Sequence, residues 1–364
     1  MDCAYFDAGV CHSCPLIDTP YAQQLDDKQA RVRELIGGAP DWEDAVASPE
    51  AGFRIKAKMA VGGTIGAPTL GILDPEYRGV DLRDCPILAP EIRAALPSLA
   101  RFVTENRLEP YDVATRRGEL KHILITAGAD GQLIVRFVLR SRRLAATIRR
   151  AAPDFPVFGI NIQPIHTTII EGPDDIAVTE RQRLPIQYGD NTLLIGPRSF
   201  VQTNTAVARE LYATVGRWAA ETGARALWDL YCGVGGFALA AASHGLTVEG
   251  AEISADAIAC ATETAALNGL TARFTAGDAT EWATAQPAIP DLVVVNPPRR
   301  GIGPELADWL EASGPRWVAY SSCYPDSQRA DLDRMPSYRP ARARLFDMFP
   351  HTRHAETAVL LQKV

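Results

Sequence analysis

Hydrophobic and polar positions along this chain follow two different rules, with the changeover near residue 195. Between about 50 and 190, the runs 53–61, 121–126 and 133–138 alternate apolar with polar side chains and are broken by Gly and Pro. A period of two predicts antiparallel strands with one wet face. Ahead of them, residues 21–37 are rich in Gln, Asp and Arg and carry apolar side chains at Leu25, Val32, Leu35 and Ile36, which predicts one amphipathic helix stopped by Gly37-Gly38.

Beyond 195 strands and helices alternate. A helix over 204–221 leads into a buried strand at 226–230, a glycine-rich turn at 231–236 and an Ala-rich helix at 237–243. A strand at 246–252, a helix at 254–268 and strands at 292–296 and 317–321 follow. This order builds a parallel sheet that binds ligands at the carboxyl ends of its strands. The expected organisation is an α/β protein of two parts, a smaller antiparallel β-rich domain over 1–190 and a Rossmann-like domain over 191–364.

Composition changes little. The chain has 364 residues, 47% hydrophobic and 22% charged, which suits a soluble protein of about two domains. No apolar run is long enough to span a bilayer and no secretory signal is evident, so a cytoplasmic location is expected. The balance of 37 basic against 44 acidic residues argues against a general nucleic-acid binder. Yet the nine basic residues Arg116, Arg117, Lys121, Arg136, Arg140, Arg142, Arg143, Arg149 and Arg150 fall within 116–150 against only Glu119 and Asp130. Such a stretch forms either a local phosphate-binding face or a solvated surface.

Cys3, Cys11 and Cys14 crowd the first fourteen residues, and Cys85 lies far downstream. A tight group of thiols plus one distant residue suits an iron-sulfur cluster. Tetrahedral zinc and a disulfide pair are the competing readings.

The turn Gly233-x-Gly235-x-x-Ala238 meets a loose dinucleotide fingerprint, and Glu252, ending the next strand, suits ribose hydroxyls in an NAD or an S-adenosylmethionine (AdoMet) enzyme. Asn296-Pro297-Pro298 decides between them, because it resembles the substrate-facing motif of class I methyltransferases and hydride transfer has no use for it. Asp278 stands where a carboxylate would accept from the adenine amino group. Arg299 and Arg300 follow the motif in place of a stacking aromatic, which disfavours methylation of an exocyclic amine. Cys323, at the carboxyl end of a strand, suits carbon 5 of uracil instead, since that carbon attacks only after a thiolate has added at carbon 6. A base must then remove the carbon 5 proton. Glu356 is the candidate, with His351 and His354 as competitors. Cys232 and Cys260 are assigned to the lining of the glycine turn and to a helix core.

These motifs together, with 2–14, 200–204, 229–237, 295–301, 320–323 and 346–352, resemble the RNA uracil-C5 methyltransferases along the whole chain. Within them the match is to the subgroup that acts on 23S ribosomal RNA at uridine 747. The resemblance implies a [4Fe-4S] cluster on Cys3, Cys11, Cys14 and Cys85. It implies AdoMet contacts from Gln202, Tyr231, Glu252 and Asn296, with Cys323 as nucleophile and Glu356 as proton acceptor. It also implies that residues 17–48 pack on the catalytic domain. One departure is Tyr324, where the family carries Asn after its cysteine, so that an Asn contact is lost or replaced. The target base must be unpaired or flipped. Arg54, Lys56 and Lys58 share one face of a strand and are candidate RNA contacts. The alternative readings are a non-catalytic iron-sulfur RNA-binding or regulatory protein, and the same chemistry on another RNA such as tRNA.

Overall fold

A computed structural model describes residues 1–38, 41–189 and 191–364. It divides into two compact units, one formed by 1–14 with 51–185 and the other by 15–50 with 186–364.

The first unit is built on a seven-stranded sheet in the order Gly79–Asp81, Ala67–Leu73, Lys56–Thr64, Leu120–Ala127, Leu133–Leu139, Val157–Ile162, Asp174–Ala177. All neighbours run antiparallel except Leu133–Leu139 with Val157–Ile162, which are parallel because helix Ala145–Ala151 lies in their connection. Helix Pro90–Glu105 buries Ile92, Leu96, Leu99 and Val103, the side chains that recur along one helical face. Proline at its start suits a position whose amide would have no partner.

The expectation of one wet face is corrected here. Every residue of Leu133–Leu139 is buried, and Leu120–Ala127 is buried at all positions but one. The cause is the chain between 163 and 175. Lys121 Nζ donates to the Ile165 carbonyl at 2.7 Å, and Arg136, 3% exposed, pairs with Glu171 and Asp175.

The basic stretch is partly paired. Arg140 pairs with Glu119, Arg142 with Asp174, and Arg143 with Glu109 and Glu119. With Arg136, four of the nine basic residues are thus paired with acids, Glu119 among them from within the stretch, while Arg116, Arg117, Arg149 and Arg150 are exposed.

The second unit carries an eight-stranded sheet in the order Asp41–Trp42, Tyr338–Phe346, Glu356–Lys363, Trp317–Ser322, Leu292–Val295, Ala226–Leu230, Thr247–Glu252, Ala272–Ala276. Five strands from Trp317–Ser322 to Ala272–Ala276 are parallel, and Glu356–Lys363 is inserted antiparallel to both its neighbours. Strand order reverses between Ala226–Leu230 and Leu292–Val295, which is where open α/β sheets bind ligands. Leu230, Val293, Val295, Val318, Tyr320 and Val359 form the core, and helix Tyr21–Ile36 adds Val32 and Ile36 to it. That helix is held by a buried ion pair, Lys28 Nζ to Asp347 Oδ1 at 2.6 Å, and by Tyr21, whose hydroxyl donates to Asp347 Oδ2 at 2.8 Å.

Candidate active site

The glycine turn follows strand Ala226–Leu230 because the chain must reverse into helix Gly236–Ala242 within a few residues. Gly235 (φ +89°) and Gly233 (φ +54°) supply left-handed backbone, and Tyr231 adopts it too (φ +66°), a conformation costly for a bulky residue. No atom lies within 4 Å of where a Cβ on Gly233 would stand, so the turn presents open space.

Asp229, fully buried, braces this turn by accepting from the Ala238 amide at 2.9 Å. Its other oxygen is buried without a partner among the described residues. Burial pushes its carboxyl up to about 7, against the Ala238 hydrogen bond and with the help of the nearby Glu252 charge. Glu252 accepts from the amides of Ser254 at 2.9 Å and Gly233 at 3.3 Å, which sets it beside the open turn. Asp278 accepts from the amides of Thr280 and Glu281 through Oδ1 and so caps the next short helix. Burial pushes the Tyr231 hydroxyl up, against Thr280 and with the help of the nearby Asp278 charge. Gln202 is buried. An open glycine turn, an orphaned buried carboxylate oxygen and an acidic residue ending the second strand fit a nucleoside with a charged tail.

At the neighbouring strand ends, Glu356 is 1% exposed and accepts from Ser321 Oγ at 2.5 Å and Asn296 Nδ2 at 3.3 Å. Both bonds go to Oε1 and leave Oε2 outside them. Burial pushes its carboxyl up to about 7, against the pull of the two donors.

Cys323 is half-buried and follows strand Trp317–Ser322 directly. Burial first and then the Glu356 charge push its thiol up, against the pull of the Arg299 charge. Cys323 lines a cavity of about 120 Å³ together with Lys28, Arg31, Tyr324, Arg353 and His354. Tyr324, the departure from the family pattern, is 41% exposed at this cavity.

His351 is fully buried, accepts from no substrate-facing group and is committed to Gln24 and the Glu50 carbonyl. His354 lines the cavity, with its imidazole held low by burial and by the cations Arg299, Lys28 and Arg31. Of the three candidate bases, Glu356 is the one joined to the nucleophile strand and to Asn296.

Cys232 is buried at the turn and Cys260 is buried in helix Ala255–Leu267. Ser321 and Asp229 escaped the sequence reading. Asp229 is a lone polar residue in an otherwise apolar strand and Ser321 opens a pair of serines ending another, and those are the signals which could have found them.

In the first unit, Cys3, Cys11, Cys14 and Cys85 are all half-buried and close enough for their charges to act on one another. Burial first, then the other three thiols, push Cys14 up to about 11. The amides of Ile87 and Leu88 lie close to Cys85 and oppose the burial that raises its thiol, and the Arg54 charge acts on both Cys85 and Cys14. Among the described residues no three His, Cys, Asp or Glu side chains stand in position to hold a single metal ion.

Arg54, Lys56 and Lys58 alternate with buried Ile55, Ala57 and Met59. Burial draws Lys56 down to about 8 against the attraction of Glu171, and Lys58 lies 4.0 Å from the same carboxylate.

Two family models match the second unit: "Methyltransferase small domain" over 217–305 and "tRNA (Uracil-5-)-methyltransferase" over 288–364. The chain is 45% identical to the 23S rRNA (uracil(747)-C(5))-methyltransferases of Escherichia coli O139:H28 and of Shigella sonnei, covering 100% of each chain. The solved Pyrococcus abyssi tRNA (uracil-54, C5)-methyltransferase, in complex with S-adenosyl-L-homocysteine, is similar with a TM-score of 0.81 at 25% identity, over 96% of this chain and 85% of that one.

Proposed function

The chain belongs to the RNA uracil-C5 methyltransferase family, and on that footing we propose that it methylates carbon 5 of a uridine in 23S ribosomal RNA, the position numbered 747 in its relatives. The observation that carries the chemistry is a reachable thiol, Cys323, beside a buried carboxyl, Glu356, at the ligand edge of the sheet. Among the described residues no helix is long and apolar enough to cross a membrane.

AdoMet supplies an electrophilic methyl group and leaves as S-adenosylhomocysteine. Gln202, Tyr231, Gly233, Gly235, Glu252, Asp278 and Asn296 would hold it around the glycine turn. Cys323 as thiolate adds to carbon 6 of a flipped uracil, and the electron pair of the carbon 5–carbon 6 double bond shifts to carbon 5 and the carbonyl oxygen beside it. Carbon 5 then takes the methyl group. Glu356 accepts the carbon 5 proton, the double bond reforms, and the electron pair of the carbon–sulfur bond returns to Cys323. Ser321 and Asn296 hold Glu356 by one oxygen, which leaves the other to face the proton.

Four cysteines from two segments, with amide donors and a cation beside them, fit a [4Fe-4S] cluster on Cys3, Cys11, Cys14 and Cys85. A cubane interposes iron and sulfide between thiolates and so needs no arrangement that closes on one ion. Its contribution would be to tie residues 3–14 to the loop of Cys85. Arg54, Lys56 and Lys58 are the proposed RNA contacts of the same unit.

Mapping 5-methyluridine in ribosomal and transfer RNA by mass spectrometry, with and without this protein, tests the assignment. Loss of the mark at one large-subunit uridine is expected. The similarity to a tRNA enzyme favours tRNA as the second reading, and a mark lost only there would replace the ribosomal substrate.

A further inference from the structure

The chemistry above leaves Tyr324 unused, although it lines the same cavity as Cys323. Its ring is exposed, and among the described residues it meets no other aromatic ring and its hydroxyl has no hydrogen-bond partner. Its backbone, by contrast, is fixed. Pro325 opens helix Pro325–Leu332 and keeps the residue before it out of the helical region, so Tyr324 stands at φ −136° and ψ 86°. Its amide donates to Ser322 Oγ at 3.0 Å, and its carbonyl accepts from Ser327 Oγ at 3.0 Å and from the Gln328 amide at 3.2 Å. Gln328 Nε2 donates to the Tyr320 carbonyl at 2.9 Å, which ties the helix to the nucleophile strand. An unpartnered ring on a pinned backbone is a preformed platform for a flat ligand. The cavity wall carries a matching charge. Lys28 is committed to Asp347 and Arg31 to Asp326 at 2.8 Å, whereas exposed Arg353 has no acidic partner among the described residues.

We propose that Tyr324 and Arg353 form a subsite for the nucleotide next to the methylated uridine, the ring stacking on its base and the guanidinium meeting a phosphate of the same strand. The inference rests on RNA being the substrate and Cys323 the nucleophile. The target uracil itself is not the stacking partner. Sulfur adds to carbon 6 from above the ring plane, so the uracil face turned to Cys323 stays open to the thiolate and cannot be covered by the side chain of the following residue. Extruding a uridine costs the stacking it shared with its neighbour. Tyr324 gives that neighbour a new face and so holds the loop open around the flipped base. Such stacking accepts any base, and the subsite therefore grips the strand without choosing its sequence.

The test is a binding cycle between the full-length protein and a synthetic RNA hairpin whose loop carries the target uridine, made also without the base of either neighbour or of the target. Tyr324→Ala should weaken binding of the complete hairpin roughly 5- to 150-fold, and Tyr324→Phe should keep the wild-type affinity. On the hairpin that lacks the stacked neighbour, Tyr324→Ala and the wild type should bind alike. Arg353→Gln should reduce the slope of log affinity against log salt by about 0.7, the share of one single-strand phosphate. Both residues are exposed, so all three variants should keep the wild-type midpoint in urea unfolding. Equal affinity of Tyr324→Ala and the wild type for the complete hairpin overturns the inference, as does an unchanged salt slope in Arg353→Gln. A deficit that vanishes only when the target base is missing places the ring on the uracil and overturns it too. A wild-type protein that methylates no RNA uridine sinks the underlying reading, whereas methylation without coupling between Tyr324 and either neighbour sinks only the subsite.

Discussion

The Ser321 hydroxyl donates a 2.5 Å hydrogen bond to Glu356 Oε1, and both side chains are 1% exposed. The nucleophile strand thus grips the base directly. A donor aimed at a carboxylate favours its charged form, so Ser321 works against the burial that raises Glu356.

Ser321→Ala should therefore lift Glu356 further above 7. Because the reaction needs the carboxylate, the rising limb of the pH–rate profile should move to higher pH. The loss of rate should be several-fold near neutrality and small in alkali. A limb that stays in place would separate Ser321 from the base.

Glu356→Gln keeps the shape of the site but cannot take a proton. Addition and methyl transfer should proceed while release of Cys323 stalls, so a covalent protein–RNA adduct carrying the methyl group should accumulate on denaturing gels. Turnover should fall by roughly 10²–10⁴-fold. Free methylated RNA at the normal rate would assign the proton to another acceptor.

The same substitution should stabilise the fold. The folded state retains the Glu356 proton up to about pH 7, whereas the unfolded chain releases it near 4.5. Between those values the folded state binds more protons, so stability falls as pH rises through that window. Glu356→Gln removes this loss, with a gain on the order of 3 kcal/mol above pH 7 and none near pH 4. Denaturant unfolding at both pH values reads the difference, and equal gains at both would rule out a titration origin.

Lys28 and Asp347 are 4% and 0% exposed at the side chain, and Asp347 is also held by Tyr21. Lys28→Met should leave Asp347 charged and buried with one donor fewer, at a cost of about 3–5 kcal/mol. The double variant Lys28→Met with Asp347→Leu should recover much of it, as measured by urea unfolding.

Local pattern carried most of the secondary structure. The helix expected at 204–221 is Thr205–Glu221, capped by Asn204, and the strand expected at 226–230 is Ala226–Leu230. Periodicity reads well because pitch and face are properties of neighbouring residues. It read poorly wherever a distant segment intervened. Arg136 sits in an alternating run that looked half-solvated, yet Glu171 and Asp175 lie on it and bury it.

The candidate site divides in the same way. The glycine turn, Asn296-Pro297-Pro298 and Cys323 were legible because each is a short run whose chemistry is written in its own residues. The partners of Glu356 were not, since Ser321 lies 35 positions away and Asn296 60, and only the insertion of Glu356–Lys363 beside Trp317–Ser322 brings them together. Residue types and their local spacing determine which groups are available and which elements carry them. Protonation state, accessibility and hydrogen-bond partner depend on burial and on which strand ends meet, and those are settled by sheet order and register once the whole chain has packed.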